Sequence, residues 1–406
     1  MILQRLLGDR ISGGTLIVQM PDGERTSLGA GEPQVVVRIH SRAALLRLMR
    51  HPRLAFGELY MDREITLEEG ELLDLLRLVV GSSRFEDGGH GGKLKKQVGF
   101  FKRLLPRARN DASASRRNVA HHYDLDERLY RLFLDEDMQY SCAYFHDPAN
   151  SLAQAQIDKK AHIAAKLYLK PGQRVLDIGC GWGGMALTIH RLSGADVLGV
   201  TLSEEQLRVA RQRAQEAGVA DKVKFELIDY RAVTGRFDRI VSVGMFEHVG
   251  AAHYGEFFAK CRELLADDGV MLLHTIGKYG KAGKPDPFTD KWIFPGYHLP
   301  SLSQMMEASE AVRLIATDVE TLRIHYAYTL RAWLQNCHAH RAEIVALYDE
   351  RFFRMWEFYL AAGVVAFEQG AMNNFQVQYV RDRRALPITR DYMVEAEQRY
   401  RAASKA

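Results

Sequence analysis

Apolar and polar positions alternate with a period of two over residues 13–20 (GGTLIVQM) and 33–40 (PQVVVRIH), either side of a PDG turn. That alternation predicts a short sheet, with helical spacing following at Arg42–Met49 and Glu69–Val80. From about residue 150 the period itself switches back and forth. RVLDIG, DVLGVT, VKFELID, DRIVSVG and GVMLLHTI read as strands, with Gly184–Leu192, Ser203–Gly218 and Tyr254–Leu265 as the helices between them. This is the pattern of a parallel sheet with crossover helices. VRLIATDVE and NNFQVQYVRD predict added edge strands, and the stretch between them, Leu330–Gly370, is helical and rich in aromatic residues. No internal repeat is present.

Composition breaks this pattern once. Residues 81–92 (GSSRFEDGGHGG) have linker composition, and Lys93–Arg109 (KLKKQVGFFKRLLPRAR) is densely basic with no acid. On a helix Leu94, Val98, Phe101 and Leu105 would share one face, as in a segment lying on an anionic membrane; a solvated linker or a subunit contact fits the same residues. The expected organisation is a small α/β module over 1–80 for docking, lipid contact or dimerisation, a flexible basic linker over 81–115, and a catalytic domain over 116–406. The net charge of +4 suits an anionic partner but is too small to indicate nucleic acid. Cys142, Cys180, Cys261 and Cys337 are far apart with no C-x-x-C spacing, which argues against a disulfide framework or structural zinc and for a reducing compartment. The start, MILQRLLGDRISGG, does not read as a signal sequence, and no apolar run reaches membrane-spanning length. A cytoplasmic protein with peripheral contact to the inner face of the membrane is expected.

The candidate chemistry centres on Val175–Gly184 (VLDIGCGWGG), where an apolar strand ends in Asp177 and four glycines lead into a helix. Glycines allow close backbone approach to a ligand at the switch point of such a sheet. A preceding Asp, with no phosphate-binding Lys-Ser/Thr after the loop, argues against a dinucleotide. The pattern resembles motif I of Rossmann-like methyltransferases, which use S-adenosylmethionine. Thr201–Gln206 (TLSEEQ) would end the second strand near the ribose and methionine portions, though that class usually has an acid there; IDYR would set Tyr230 beside the adenine.

HHYDL (121–125), MQYSCAYF (138–145), AQIDKKAHIAAKLYLKPG, GVTLSEEQ, FEHVG (246–250), HTIG (274–277), WIFPGYHLPS (292–301) and HYAYTLRAW (325–333) occur in an order that closely resembles the cyclopropane fatty acid synthases, the mycolic acid types included. The resemblance implies a class I methyltransferase fold, a mostly parallel seven-stranded sheet with helical lid insertions. It implies a cofactor set of Tyr140, Ser141, Asp177, Gly179, Cys180, Gly181, Gly183, Thr201, Leu202, Gln206, Tyr230 and Arg231. It further implies a bicarbonate base caged by Cys142, Glu247, His274, the backbone at Ile276, and Tyr326. The implied reaction adds a methylene to the cis double bond of an unsaturated phospholipid acyl chain, through a carbocation that a base deprotonates, in a homodimer at the membrane. A dry pocket with aromatic faces suits that chemistry. Taken singly, each of these residues also reads as ordinary core, a helix start or a sheet histidine.

His253, His325 and His338 stay unassigned, and no metal site is expected, because the H-x-H of His338 and His340 points its rings apart on a helix. The family commonly carries a Cys near the C-terminus where this chain has Gly363, which argues against a thiol mechanism. The alternatives are methylation of the same acyl chain to a branched or methylene product, and a non-catalytic lipid-binding protein. Nucleic-acid methylation is disfavoured, since no N-P-P-Y-like or P-C-type motif occurs.

Overall fold

The structure, a computed structural model, describes residue 11 and residues 13–80, 85–86 and 125–404. The basic segment 93–109 and residues 121–124 of the HHYDL motif lie outside the described residues. The chain divides into two compact units, one built from 1–109, 286–295 and 330–372, the other from 110–285, 296–329 and 373–406. Residues 286–295 and 330–372 thus group by contact with the N-terminal module.

The first unit holds β1 (Gly14–Gln19), β2 (Arg25–Ala30), β3 (Gln34–Ile39), α1 (Arg42–Arg50), α2 (Pro52–Met61), β4 (Ile65–Glu69) and α3 (Leu72–Val80). Its sheet runs β2-β1-β3-β4, with β1 antiparallel to β2 and parallel to β3. The period-two reading fits β1, whose residues alternate between buried and half-buried. The sequence reading missed α2 and β4. Pro52 at the first turn starts α2, and its apolar face is completed by residues from far along the chain. Phe358, in the helix Glu350–Glu368, meets Phe56 at 5.7 Å and Phe288 at 4.7 Å between ring centres. Tyr60 donates to the Glu357 carboxylate at 2.5 Å, and the Arg354 guanidinium lies 3.9 Å over the Tyr60 ring. At Gly363 an added Cβ would stand 3.0 Å from Leu330 Cδ1, so a cysteine there needs Leu330 to give way.

The second unit carries a seven-stranded sheet in the order β10-β11-β9-β8-β5-β6-β7. In chain order its elements begin with α4 (Glu127–Phe133), α5 (Leu152–Lys166), β5 (Arg174–Ile178), α6 (Gly184–Ser193), β6 (Asp196–Thr201) and α7 (Glu204–Glu216). They continue with β7 (Val223–Leu227), β8 (Phe237–Val243), α8 (Tyr254–Leu264), β9 (Leu265–Lys278), α9 (Leu302–Ala311), β10 (Ile315–Thr321), α10 (His325–Ala339), which runs on into the first unit, β11 (Met372–Val380) and α11 (Asp391–Ala403). β5 pairs in parallel with both β6 and β8, so the strand order reverses beside it and opens a crevice at its carboxyl end. One core layer packs Ile163, Ala186, Ile189, Ala210 and Tyr400. A second layer packs Phe246, Phe257, Phe258, Met305 and Tyr379.

β10 is an edge strand as expected, but β11 is not: it lies between β10 and β9 and is buried along nearly its whole length. Its polar residues find partners inside. Asn373 accepts the Arg323 N–H at 2.9 Å, and the Gln376 and Gln378 side chains reach His274 and the Lys166 carbonyl. Helix α5 shows the same property, being buried although it is rich in charge. Asp158 accepts from Arg401 at 2.9 Å, Lys160 pairs with Asp137, and His162 sits between Glu320 (2.6 Å) and Glu397 (2.8 Å). Among the described residues no helix is long and apolar enough to cross a membrane.

Candidate active site

At the carboxyl end of β5 the chain turns through Gly179, Gly181 and Gly183, all with positive φ, before α6 begins. The Gly179 and Cys180 N–H groups both donate to the Val200 carbonyl, at 2.9 and 3.0 Å, tying the loop to β6. A Cβ at Gly181 would meet nothing within 4 Å, because that residue faces a cavity. The same cavity is lined by Tyr140, Ser141, Asp177, Gly179, Cys180, Thr201, Leu202, Gln206, Tyr230 and Arg231, so one pocket gathers these expected residues. Gly183 is the exception. A Cβ there would stand 2.7 Å from Phe225 Cζ, so its glycine serves packing against β7 and not the ligand.

The lining explains the departure at TLSEEQ. Ser203 caps α7 by accepting the Gln206 N–H, and Thr201 Oγ1 donates to Gln206 Oε1 at 2.9 Å. With its oxygen engaged, Gln206 turns its amide NH2 to the role of donor, which suits ribose hydroxyls as a carboxylate acceptor would. An acid does line the cavity one strand later: Asp229 holds Arg231 through Nε (2.9 Å) and Nη2 (2.6 Å). Asp229 precedes Tyr230 in IDYR. Tyr230 rests edge-on against Phe257 at 5.5 Å. Tyr140 packs edge-on to Tyr130 at 5.4 Å and Phe133 at 6.0 Å, and Trp182 closes the group 5.0 Å from Tyr130.

Asp177 tests the fit to S-adenosylmethionine. It is fully buried, its Oδ2 has no hydrogen-bond partner among the described residues, and burial pushes its carboxyl up to about 7 against the pull of the Lys159 charge. An orphaned buried carboxylate is costly unless a cation meets it. The cofactor carries an ammonium and a sulfonium, so the donor set fits. His248, next to Glu247 in FEHVG, is also on the lining; burial holds its imidazole down to about 4, hence neutral. The unassigned His253 lines the cavity too, while His325 Nδ1 accepts the Phe145 N–H at 3.0 Å and His338 bonds Glu357 at 2.8 Å.

The five residues of the expected base site lie behind this lining rather than on it. Cys142 follows Ser141 in the chain, Glu247 comes two residues after Met245, and the Gly244 N–H donates to the His274 carbonyl at 2.9 Å. Glu247 is buried at 6% exposure; Oε1 accepts the Ile276 N–H at 2.6 Å, and Oε2 has no hydrogen-bond partner among the described residues. Burial pushes this carboxyl up to about 7, with the Ile276 N–H opposing. The Cys142 thiol is also raised by burial and is no nucleophile in that state. Tyr326 is buried in the first turn of α10, where Thr329 Oγ1 accepts the Ala143 N–H at 3.0 Å.

His274 lies on β9 and is buried. Its two ring nitrogens face the side-chain amides of Asn374 (2.9 Å) and Gln376 (3.1 Å) on β11, and burial holds its pKa well below the ordinary value. Both contacts are made by the amide nitrogens, of Asn374 to Nε2 and of Gln376 to Nδ1, and a neutral imidazole offers one of them an acceptor. These contacts tie His274 to the β9–β11 seam.

A glycine-rich turn after the central strand of a seven-stranded, mostly parallel sheet, with an orphaned acid beside it, defines an S-adenosylmethionine-dependent methyltransferase. The chain belongs to the mycolic acid cyclopropane synthetase family, which residues 110–377 match; residues 2–84 match a family described as a domain of unknown function. A probable fatty acid methyltransferase of Pseudomonas putida is 36% identical over 93% of this chain and 96% of its own. The cyclopropane-fatty-acyl-phospholipid synthase of Escherichia coli K12 is 44% identical over 64% of this chain and 66% of its own. Among solved structures, a mycolic acid cyclopropane synthase complexed with SAH and CTAB is 35% identical with a TM-score of 0.62, covering 65% of this chain and 97% of that one. The enzyme is therefore a methyltransferase of the cyclopropane synthase type.

Proposed function

We propose that the enzyme adds a methylene to the cis double bond of unsaturated phospholipid acyl chains and closes it to a cyclopropane, with bicarbonate as the base. S-adenosylmethionine, when bound, supplies a sulfonium methyl that an alkene can attack. Asp177 would hold its ammonium, Gln206 its ribose, and Tyr230 with Arg231 its base. Tyr140 and Trp182, on the cavity lining and backed by Tyr130, would offer π faces where positive charge develops on the acyl chain. Bicarbonate, when bound, supplies a base at the newly attached carbon.

The observation that carries this reading is Glu247, a buried carboxyl poised near 7 with one unpartnered oxygen directly behind the cofactor cavity. Protonated, it can donate to an anion; ionised, it can accept the proton an anion passes on. The Ile276 N–H donates to the other oxygen and holds the carboxyl in place, and Cys142 and Tyr326 would complete the site. Incubation with isotopically labelled cofactor and monounsaturated phospholipid vesicles, followed by mass spectrometry, tests the proposal. A gain of one methylene with loss of the alkene is expected; no incorporation into lipid would overturn it.

A second reading, methylation to a branched or methylene product, is favoured by the full-length match to the Pseudomonas putida relative. A labelled product that keeps a double bond would establish it. The net charge of +4 and the basic segment 93–109 support peripheral contact with an anionic membrane surface.

A further inference from the structure

We propose that Lys159 supplies the positive charge that holds a carboxylate-type anion beside Ser141 and Cys142, acting as a positioning residue behind the cofactor cavity. The proposal rests on the reading of that cavity given above and deepens it.

Gln156 and Lys159 are three residues apart on α5, hence on one face, and both are completely buried. Together they clamp the segment that leads to Cys142. Gln156 Nε2 donates to the carbonyls of Gln139 at 3.1 Å and Ser141 at 3.0 Å. Lys159 Nζ donates to the side chains of the same two residues, Gln139 Oε1 and Ser141 Oγ, the latter at 2.9 Å. Both acceptors line the cavity, so the ammonium stands one side chain behind its wall.

The charge has no partner to match. The other charged side chains of α5 meet opposite charges, whereas among the described residues Lys159 has no carboxylate within ion-pair distance. Of the acids that attract it from farther off, Asp135 accepts the Gln139 N–H and Asp137 is engaged by Lys160 and Arg213. An ammonium has three protons, and two of these rest on neutral oxygens. A glutamine amide could donate to those oxygens without burying a charge, and a buried unpaired charge is among the costliest features a fold can keep. Burial lowers Lys159 to about 8, so it remains mostly protonated at neutral pH, and its field is felt at Asp177, Cys142 and His274. An anion bound there completes the arrangement.

Two anions share this chemistry, the carboxylate of the cofactor's methionine portion and bicarbonate. Calorimetry of Lys159→Met with S-adenosylmethionine and with its decarboxylated analogue separates them from a clamp. If the cofactor's carboxylate is held, the variant binds S-adenosylmethionine at least tenfold more weakly and the analogue unchanged. If bicarbonate is held, both affinities stay, and the bicarbonate needed for half-maximal turnover in carbonate-depleted buffer rises at least tenfold. Lys159→Arg should restore either loss. Equal weakening of both cofactors, or no change in any readout, would overturn the proposal and leave Lys159 a clamp. Should the methionine variant not fold, Lys159→Gln against Lys159→Arg carries the same comparisons. Wild-type turnover that ignores bicarbonate would remove bicarbonate from the proposed function while leaving the calorimetric comparison intact.

Discussion

Asp177 and Glu247 are raised to the same region, about 7, by the same cause, burial, and among the described residues each keeps one oxygen without a hydrogen-bond partner. Between their ordinary values near 4 and that region the folded enzyme holds protons that the unfolded chain has lost. The stability these two groups contribute is therefore complete below about pH 4 and declines as pH rises through 7, by on the order of 4 kcal/mol for Asp177. Binding of a cofactor ammonium runs the other way, since it requires the ionised acid. Affinity for S-adenosylmethionine should rise by up to tenfold per pH unit below about 7 and level off above it. Asp177→Asn should flatten both dependences, as read by thermal melts of the ligand-free enzyme and by calorimetry across pH 5.5–8. Glu247→Gln retains the size and the Ile276 bond but neither holds nor passes a proton. Turnover should fall by about 10²–10⁴-fold with cofactor affinity changed little; unaltered turnover would remove Glu247 from the chemistry.

At the scale of elements, two glycines in one loop answer to different demands. Gly181 opens onto the cavity, whereas Gly183 abuts Phe225. Gly183→Ala combines positive-φ strain with a forced contact and should cost about 1–3 kcal/mol of stability. Gly181→Ala should lose less stability and more cofactor affinity, a contrast that melting curves and titrations on the two variants would show. The loop was legible in the sequence because glycine spacing after an apolar strand is a local signal, and the alternating strands and helices of the second unit were legible for the same reason. What was not legible depends on distant partners. NNFQVQYV reads as an edge because its amides are polar, yet His274 lies one hundred residues earlier to receive one of them. Lys159, in a plainly charged stretch, looks solvated until the helix is seen to be enclosed. Asp229 and His248 stood within quoted motifs beside residues that matched the resemblance better.

For the molecule as a whole, the segment nearest to a membrane role by composition is Lys93–Arg109. Neutralising Lys93, Lys95, Lys96, Lys102 and Arg103 should weaken cosedimentation with anionic vesicles at low salt, and high salt should weaken the wild type similarly. Binding indifferent to both would remove the segment from membrane contact. The discontinuous make-up of the first unit has a consequence for the order of biosynthesis. Its N-terminal strands leave the ribosome early, but Phe358, Glu357 and Arg354, which close over α2, follow almost three hundred residues later. β11, the neighbour of β9, emerges later still. During most of translation both units wait with apolar faces open, so chaperone dependence and sensitivity to premature termination belong to this architecture as much as its catalytic cavity does.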